Sequence, residues 1–151
     1  MMKAIKLLMT TAFALVALSG ASLAGSGWMT DVDAALAKGK KEKKPVMVEF
    51  TGSDWCPPCI MMHKKVFSKK AFTDGASKKY ILVKIDIPKA DKALYKKNQK
   101  VMKKYKVSGV PTVLLFGDNG KEFSRFSASQ FPTVKGFLAQ LDTALEKKDM
   151  D

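Results

Sequence analysis

Apolar residues along this 151-residue chain alternate between helical spacing and compact strand-like runs. Helical spacing repeats the apolar positions every three or four residues, whereas a short continuous apolar run is typical of a strand buried in a central sheet. The expected helices cover residues 28–38, 57–70, 91–105 and 132–145, and the expected strands cover residues 46–50, 80–86, 112–116 and 121–127. Thr30 or Asp31 is the expected cap of the first helix.

The connections between these segments indicate how the strands pair. Residues 39–45 combine glycine, charge and proline, which is typical of a solvated link. Strands that alternate with helices favour parallel pairing through right-handed crossovers. Asp118-Asn119-Gly120 predicts a hairpin, because Asn and Gly tolerate the positive φ angles of such turns. We therefore expect an α/β fold with a central mixed four-stranded sheet and helices on both faces.

The first 24 residues have the pattern of an export signal. Lys3 and Lys6 precede an apolar stretch at residues 7–18, and Ser22-Leu23-Ala24 forms a small-residue cleavage site. A transmembrane anchor is the alternative, but a span needs about 20 apolar residues and this stretch is shorter. We expect cleavage near residue 24, which leaves one domain at residues 25–151 as a soluble periplasmic protein.

The chain is strongly basic, with 27 Lys and Arg residues against 14 Asp and Glu residues and a net charge of +13. Removing Lys3 and Lys6 with the signal still leaves +11. Such a charge attracts nucleic acid, anionic lipid or an acidic protein surface. Arg125 is the single arginine, although bidentate recognition of phosphates and bases favours arginine. We expect no nucleic-acid partner, and an acidic protein surface stays open.

Cys56 and Cys59 are the chain's two cysteines. A disulfide over two intervening residues removes little entropy from the unfolded chain, so this pair would stabilise the fold only weakly. A redox cysteine must be an exposed thiolate, and the start of a helix favours negative charge. The spacing therefore predicts Cys56 as the attacking thiol and Cys59, one turn further on, as the resolving thiol.

A metal site is the competing interpretation of the same segment. Five soft ligands are crowded together, and copper(I) prefers thiolate and thioether sulfur; they are Cys56, Cys59, Met61, Met62 and His63. Helical geometry lets only part of this set share one face. A zinc site is not expected either, because the sequence has no second CxxC or His pair to complete four ligands. We expect no metal and no separate cofactor, the redox group being the Cys56-Cys59 pair itself.

Four segments together resemble the thioredoxin superfamily in their order and spacing. They are Val48-Glu49-Phe50, Trp55-Cys56-Pro57-Pro58-Cys59, Lys84-Ile85-Asp86 and Gly109-Val110-Pro111-Thr112. The resemblance spans residues 46–145. Residues 50–55 and 65–68 look most like exported thioredoxin-like proteins and the C-terminal domain of the membrane thiol-disulfide transporter. The resemblance implies a thioredoxin fold and an enzyme that passes electrons from a membrane or soluble thiol donor to oxidised exported proteins.

The resemblance also implies roles around the sulfurs. Trp55 and a cis Pro111 would contact the substrate, and the Val110 backbone would pair with an extended substrate segment. Glu49 would be a buried acid that accepts the Cys59 proton, with Lys84 positioned to pair with it. For Pro111 the alternative is an ordinary trans proline at the start of a strand. For Glu49 the alternative is a salt bridge exposed to solvent.

Three residues depart from the pattern of cytosolic thioredoxins: Pro58, Lys64 and Ser127. Pro57 and Pro58 have no backbone N–H to donate to the Cys56 sulfur, so the Cys56 thiolate should be less stabilised than in strongly oxidising relatives. A poorly stabilised thiolate favours the disulfide form and therefore a reducing protein. The alternatives are an isomerase or oxidase of the same fold, a copper-delivering module, and a basic adhesion protein with a secondary redox pair. An isomerase normally needs a peptide-binding or dimerisation extension, for which residues 25–151 leave no room.

Overall fold

The structure is a computed structural model that describes residues 27–151. The expected export signal and its cleavage site lie outside the described residues. Within residues 27–151, no helix combines the length and the apolar character needed to cross a membrane.

A mixed sheet of five strands forms the centre of this part of the chain. Its strands are β1 (Trp28–Met29), β2 (Val46–Thr51), β3 (Ile81–Asp86), β4 (Thr112–Phe116) and β5 (Glu122–Ser127). They lie in the order β1-β3-β2-β4-β5. β3 is parallel to β1 and β2, whereas β4 is antiparallel to both β2 and β5. The α/β fold with a mixed sheet is as predicted.

The expected strand count of four was wrong by one. Trp28 and Met29 pair in parallel with Leu82 and Val83 and so form a short edge strand, although their spacing to Val32 is helical. The first helix begins only after Asp31, whose carboxylate accepts a hydrogen bond from the Ala34 N–H. Two residues are too few to show the alternation of a strand, so only the contact with β3 identifies them.

The expected parallel direction of the third predicted strand was also wrong. β4 runs antiparallel to β2, with Thr112 opposite Phe50. A helix between two strands permits a parallel crossover but does not require it, since the connection after the helix decides at which end of the sheet the next strand begins. Here residues 105–111 return the chain to the end of β2 that precedes the cysteines.

Helices cover both faces of the sheet, as predicted. They are α1 (Val32–Glu42), α2 (Pro57–Met62), α3 (Lys70–Ser77), α4 (Lys92–Lys104) and α5 (Val134–Met150), with a π-helical turn at His63–Phe67 and a 3-10 turn at Ala128–Gln130. The first hydrophobic core lies between one face of the sheet and helices α1 and α4. The second core lies between the opposite face and helices α2, α3 and α5. The alternation of β2 points Val48 and Phe50 into the first core and Met47 into the second.

Several helices differ from the sequence prediction. The helix expected to continue through residue 70 ends at Met62 and is followed by the π-helical turn, and α5 continues to Met150. α1 continues through Gly39 to Glu42, and Gly39 is required there because a Cβ would lie 2.6 Å from the Lys44 carbonyl oxygen. α3 was not predicted, since its sequence includes Gly75 and few apolar residues. A Cβ at Gly75 would lie 2.8 Å from Leu138 Cδ1, so this glycine allows close packing of α3 on α5.

Candidate active site

The two cysteines form a disulfide at the start of α2. Cys56 is the N-cap residue in an extended conformation, and the Cys59 N–H points at the Cys56 Sγ at 3.3 Å. Pro57 and Pro58 occupy the first two helical positions, where their missing N–H groups cost no intrahelical hydrogen bond. Cys59 is fully buried and Cys56 is 4% exposed. Cys56 is therefore the sulfur nearer to the surface, at the helix end that favours negative charge.

The Val110–Pro111 segment lies against the outer sulfur. Its peptide bond is cis, as predicted, and the Val110 carbonyl oxygen is 3.8 Å from the Cys56 Sγ. Within residues 27–151, the Val110 N–H and carbonyl have no backbone hydrogen-bond partner. A free pair of backbone groups beside a redox sulfur is the arrangement that an extended peptide can use for strand-like pairing.

Side chains of the loop between β2 and Cys56 hold that loop against the segment that follows β3. Trp55 Nε1 donates to the Ile87 carbonyl at 2.7 Å, and Lys89 Nζ lies 4.8 Å from the Trp55 ring centroid. The Asp54 carboxylate accepts from the Lys89 and Ala90 N–H groups, which lowers the Asp54 pKa. These contacts fix the position of the indole beside the disulfide.

Gly52 allows the Trp55 ring to lie against the loop backbone. A Cβ at Gly52 would lie 2.5 Å from Trp55 Cε2. We expect Gly52→Ala to displace the indole and to lower the free energy of unfolding by about 2 kcal/mol, the usual cost of overpacking. Urea unfolding followed by tryptophan fluorescence measures this. Gly109→Ala is the control, since a Cβ there meets nothing within 4 Å; equal losses in both variants would contradict the prediction.

Glu49 is buried in the middle of β2 on the sheet face covered by α2. Among residues 27–151, its Oε2 atom has no hydrogen-bond partner. Burial raises the Glu49 pKa to about 8, with Lys84 lowering it and Asp86 raising it. Lys84 is the register neighbour of Glu49 on β3, but the two side chains form no ion pair within 4.0 Å. The structure thus places a buried carboxyl below the redox helix, and its raised pKa leaves only a minor fraction of it ionised at neutral pH.

A cavity of about 360 Å³ lies next to Glu49. Its polar lining includes Glu49, Lys84 and His63, and Trp28 and Phe67 supply apolar walls. His63 is exposed, and Lys84 is partly exposed, so the cavity connects the buried carboxyl with solvent. Burial, and then the charge of Lys84, lower the His63 pKa. Sequence reasoning missed the role of His63 in this lining, although its i+4 spacing from Cys59 was a usable signal.

The soft ligands considered for copper do not form one cluster. Cys56 and Cys59 are bonded to each other, Met62 is fully buried in the core, and His63 lines the cavity beside Glu49. Met61 packs against the core as a partly buried residue. In the part of the chain that the structure describes, no three His, Cys, Asp or Glu side chains are grouped as metal ligands would be.

Comparisons with known proteins agree with this geometry. A family model described as thioredoxin-like matches residues 27–117. The disulfide bond reductase DsbH of Chlamydia pneumoniae is 33% identical over 94 residues, which cover 60% of this chain and 57% of the relative. The thiol:disulfide interchange protein DsbD of Pectobacterium atrosepticum is 32% identical over 114 residues, covering 75% of this chain and 18% of the relative.

Solved structures are similar in the same way. A structure of a DsbH oxidoreductase superposes with a TM-score of 0.68 and 28% identity, covering 79% of this chain and 83% of that one. The C-terminal domain of DsbD from Neisseria meningitidis, at 21% identity and a TM-score of 0.57, shares the fold, covering 75% of this chain and 93% of that domain. The chain spans little more than half the length of its DsbH relative and a small part of DsbD. It belongs to the thioredoxin-like family.

Proposed function

We propose that this protein is an exported thiol-disulfide oxidoreductase that works as a reductase or electron relay. The observation that carries the proposal is the Cys56-Cys59 disulfide at the start of α2, with its outer sulfur beside the cis Val110–Pro111 bond. The printed functions of the relatives, disulfide bond reductase and thiol:disulfide interchange protein, support it. The export pattern of residues 1–24 supports action outside the cytoplasm.

The reaction starts from the reduced pair. The Cys56 thiolate attacks one sulfur of a substrate disulfide, the substrate S–S bond breaks, and a mixed disulfide forms while the second substrate sulfur leaves as a thiolate. The Cys59 thiolate then attacks the Cys56 Sγ and releases the first substrate sulfur. The substrate gains two electrons and two protons, and the pair becomes the disulfide seen in the structure. A membrane or soluble thiol donor regenerates the dithiol.

The ionised form of Glu49, which is a minor fraction at neutral pH, accepts the Cys59 proton in the second step. Its carboxyl is buried on the sheet face below α2, and its raised pKa brings its proton affinity close to that of a thiol. Lys84, next to it on β3, lowers the Glu49 pKa and so limits that rise. The cavity lined by His63 gives the proton a route to solvent.

Trp55, Val110 and Pro111 bind the substrate. The free Val110 backbone groups pair with an extended segment around the substrate disulfide, as in strand addition. The fixed Trp55 indole forms a wall beside Cys56. The substrates are oxidised exported proteins, because an oxidising compartment is where such disulfides arise.

The hydrogen-bond donors around Cys56 support a reducing direction of electron flow. In the described part of the chain, only the Cys59 N–H points at the Cys56 sulfur, because Pro58 has no N–H at the second helical position. A weakly stabilised thiolate favours the disulfide form. We therefore expect a reduction potential well below the value of about −120 mV of the strong oxidant DsbA, measured by equilibration with glutathione. A potential as high as that of DsbA would contradict the reductase role.

The same experiment tests the cause. Pro58→Ala adds one N–H donor to the thiolate, a bond worth about 1.5 kcal/mol for a charged acceptor. We expect the potential to rise by about 30 mV. Pro45→Ala, before β2 at the opposite end of the sheet, is the matched control.

A further inference from the structure

Helix α4 carries a dense positive charge that is largely without acidic partners. From Lys92 to Lys104 the helix contains no acidic residue and six lysines: Lys92, Lys96, Lys97, Lys100, Lys103 and Lys104. All 14 acidic residues of the chain lie in the part that the structure describes. Among these six lysines only Lys104 reaches a carboxylate within 4.0 Å, that of Asp33 on α1. Like charges at i, i+4 spacing repel, so a ligand that neutralises them stabilises this face.

Apolar surface lies between these lysines. Two shallow grooves share Lys96 and Gln99: Tyr95 contributes to the first, and Met102 and Val107 contribute to the second. Helical geometry places Lys92, Lys96 and Lys103 along one line, with Tyr95 and Met102 beside it. The face therefore offers positive charges and an apolar strip together.

This face is continuous with the redox site. The first groove includes Lys89, whose ammonium lies 4.8 Å from the Trp55 ring centroid. The second groove ends at Ser108, two residues before the Val110–Pro111 bond. A ligand that lies along α4 thus meets both substrate-binding segments at the Cys56 sulfur.

We propose that the outer face of α4 binds an acidic, partly apolar segment of the protein that exchanges disulfides with Cys56. This inference rests on the proposed function and names the chemistry of the partner. A protein is the partner that can place both an acidic segment on α4 and a disulfide at Cys56, whereas a lipid or nucleic acid brings no sulfur to the site. The charge is carried by lysine, which recognises phosphate less specifically than arginine does.

The test uses two synthetic peptides, each with one internal disulfide, flanked by glutamates in one and by glutamines in the other. The rate constants for their reduction by the reduced protein are measured from about 20 to about 500 mM NaCl. We expect the glutamate peptide to react about tenfold faster at low salt and to lose this advantage at high salt, as electrostatic steering does.

The variants separate local charge from total charge. The α4 variant carries Lys92→Glu, Lys96→Glu, Lys100→Glu and Lys103→Glu, and a second α4 variant carries Gln at the same four positions in case charge reversal unfolds the helix. The control carries Lys40→Glu, Lys41→Glu, Lys78→Glu and Lys147→Glu, which changes the net charge equally at exposed positions. Lys40, Lys41 and Lys78 lie at the sheet end opposite the cysteines.

We expect the ratio of glutamate-peptide to glutamine-peptide rates to fall about tenfold in the α4 glutamate variant, about threefold in the glutamine variant and less than twofold in the control. Equal losses in the α4 and control variants would overturn the inference. Preferential binding of the protein to phosphatidylglycerol vesicles or single-stranded DNA through these lysines, with no peptide preference, would also overturn it. Failure to reduce either peptide would instead contradict the proposed function.

Discussion

Cys56→Ser will lower the rate of insulin disulfide reduction by about a thousandfold or more, because a serine hydroxyl does not replace a thiolate as the attacking nucleophile. Cys59→Ser will have a different effect. Its Cys56 thiolate still attacks, but nothing resolves the mixed disulfide, so the protein accumulates as a covalent adduct. Non-reducing electrophoresis and intact mass measure the adduct.

The positions of the two sulfurs give this asymmetry. Cys56 has the remaining exposure and lies next to Val110, whereas Cys59 is fully buried. Ile60→Ser, at the exposed neighbour of Cys59, controls for a polar substitution in α2. Adducts that form with Cys56→Ser and not with Cys59→Ser would reverse the assigned roles. The trapped species from Cys59→Ser also identifies the physiological partners.

Glu49→Gln will remove most of the pH dependence of stability near neutrality. Burial raises the Glu49 pKa to about 8, above its ordinary value, so between pH 4.5 and 8 the folded state binds a proton that the unfolded state releases. This contribution to stability is complete below the unfolded pKa and is lost as the pH rises through the folded pKa. Each pH unit between the two pKa values lowers the free energy of unfolding by about 1.4 kcal/mol. The total loss is therefore a few kcal/mol.

Urea unfolding of the oxidised protein from pH 5 to 9 measures this effect, since the cysteines then do not titrate. Wild type should lose stability steadily toward pH 8, and Glu49→Gln, which keeps the neutral shape, should lose less. Glu146→Gln on the exposed side of α5 controls for the loss of one carboxylate. Parallel pH profiles of wild type and Glu49→Gln would mean that the carboxyl is ionised at neutral pH.

The same variant tests the proton transfer. If Glu49 takes the Cys59 proton, Glu49→Gln slows the resolution of a preformed mixed disulfide by about a hundredfold, the usual contribution of a general base. The first attack by Cys56 should change little, because its thiolate forms at the other sulfur. An unchanged resolution rate would remove Glu49 from the mechanism and leave it a buried structural residue.

The sequence by itself determined the features that depend on short-range spacing. Two cysteines one turn apart, with Pro57 between them, specify a redox pair at a helix start because helix geometry and capping are local. The apolar runs of β2, β3 and β4 likewise indicate strands buried on both faces, and Asn119-Gly120 indicates the turn before β5. The main helices and the mixed sheet of the α/β fold follow from these local patterns.

Only the tertiary structure decided the contacts between distant segments. Trp28 and Met29 become a strand because Leu82 and Val83 lie beside them, and β4 reverses because its connection ends beside Phe50. The same holds for the site, where Lys84 lies next to Glu49 without an ion pair and Val110 lies beside Cys56. Side-chain direction and separation across a sheet depend on register and packing, which no local pattern encodes.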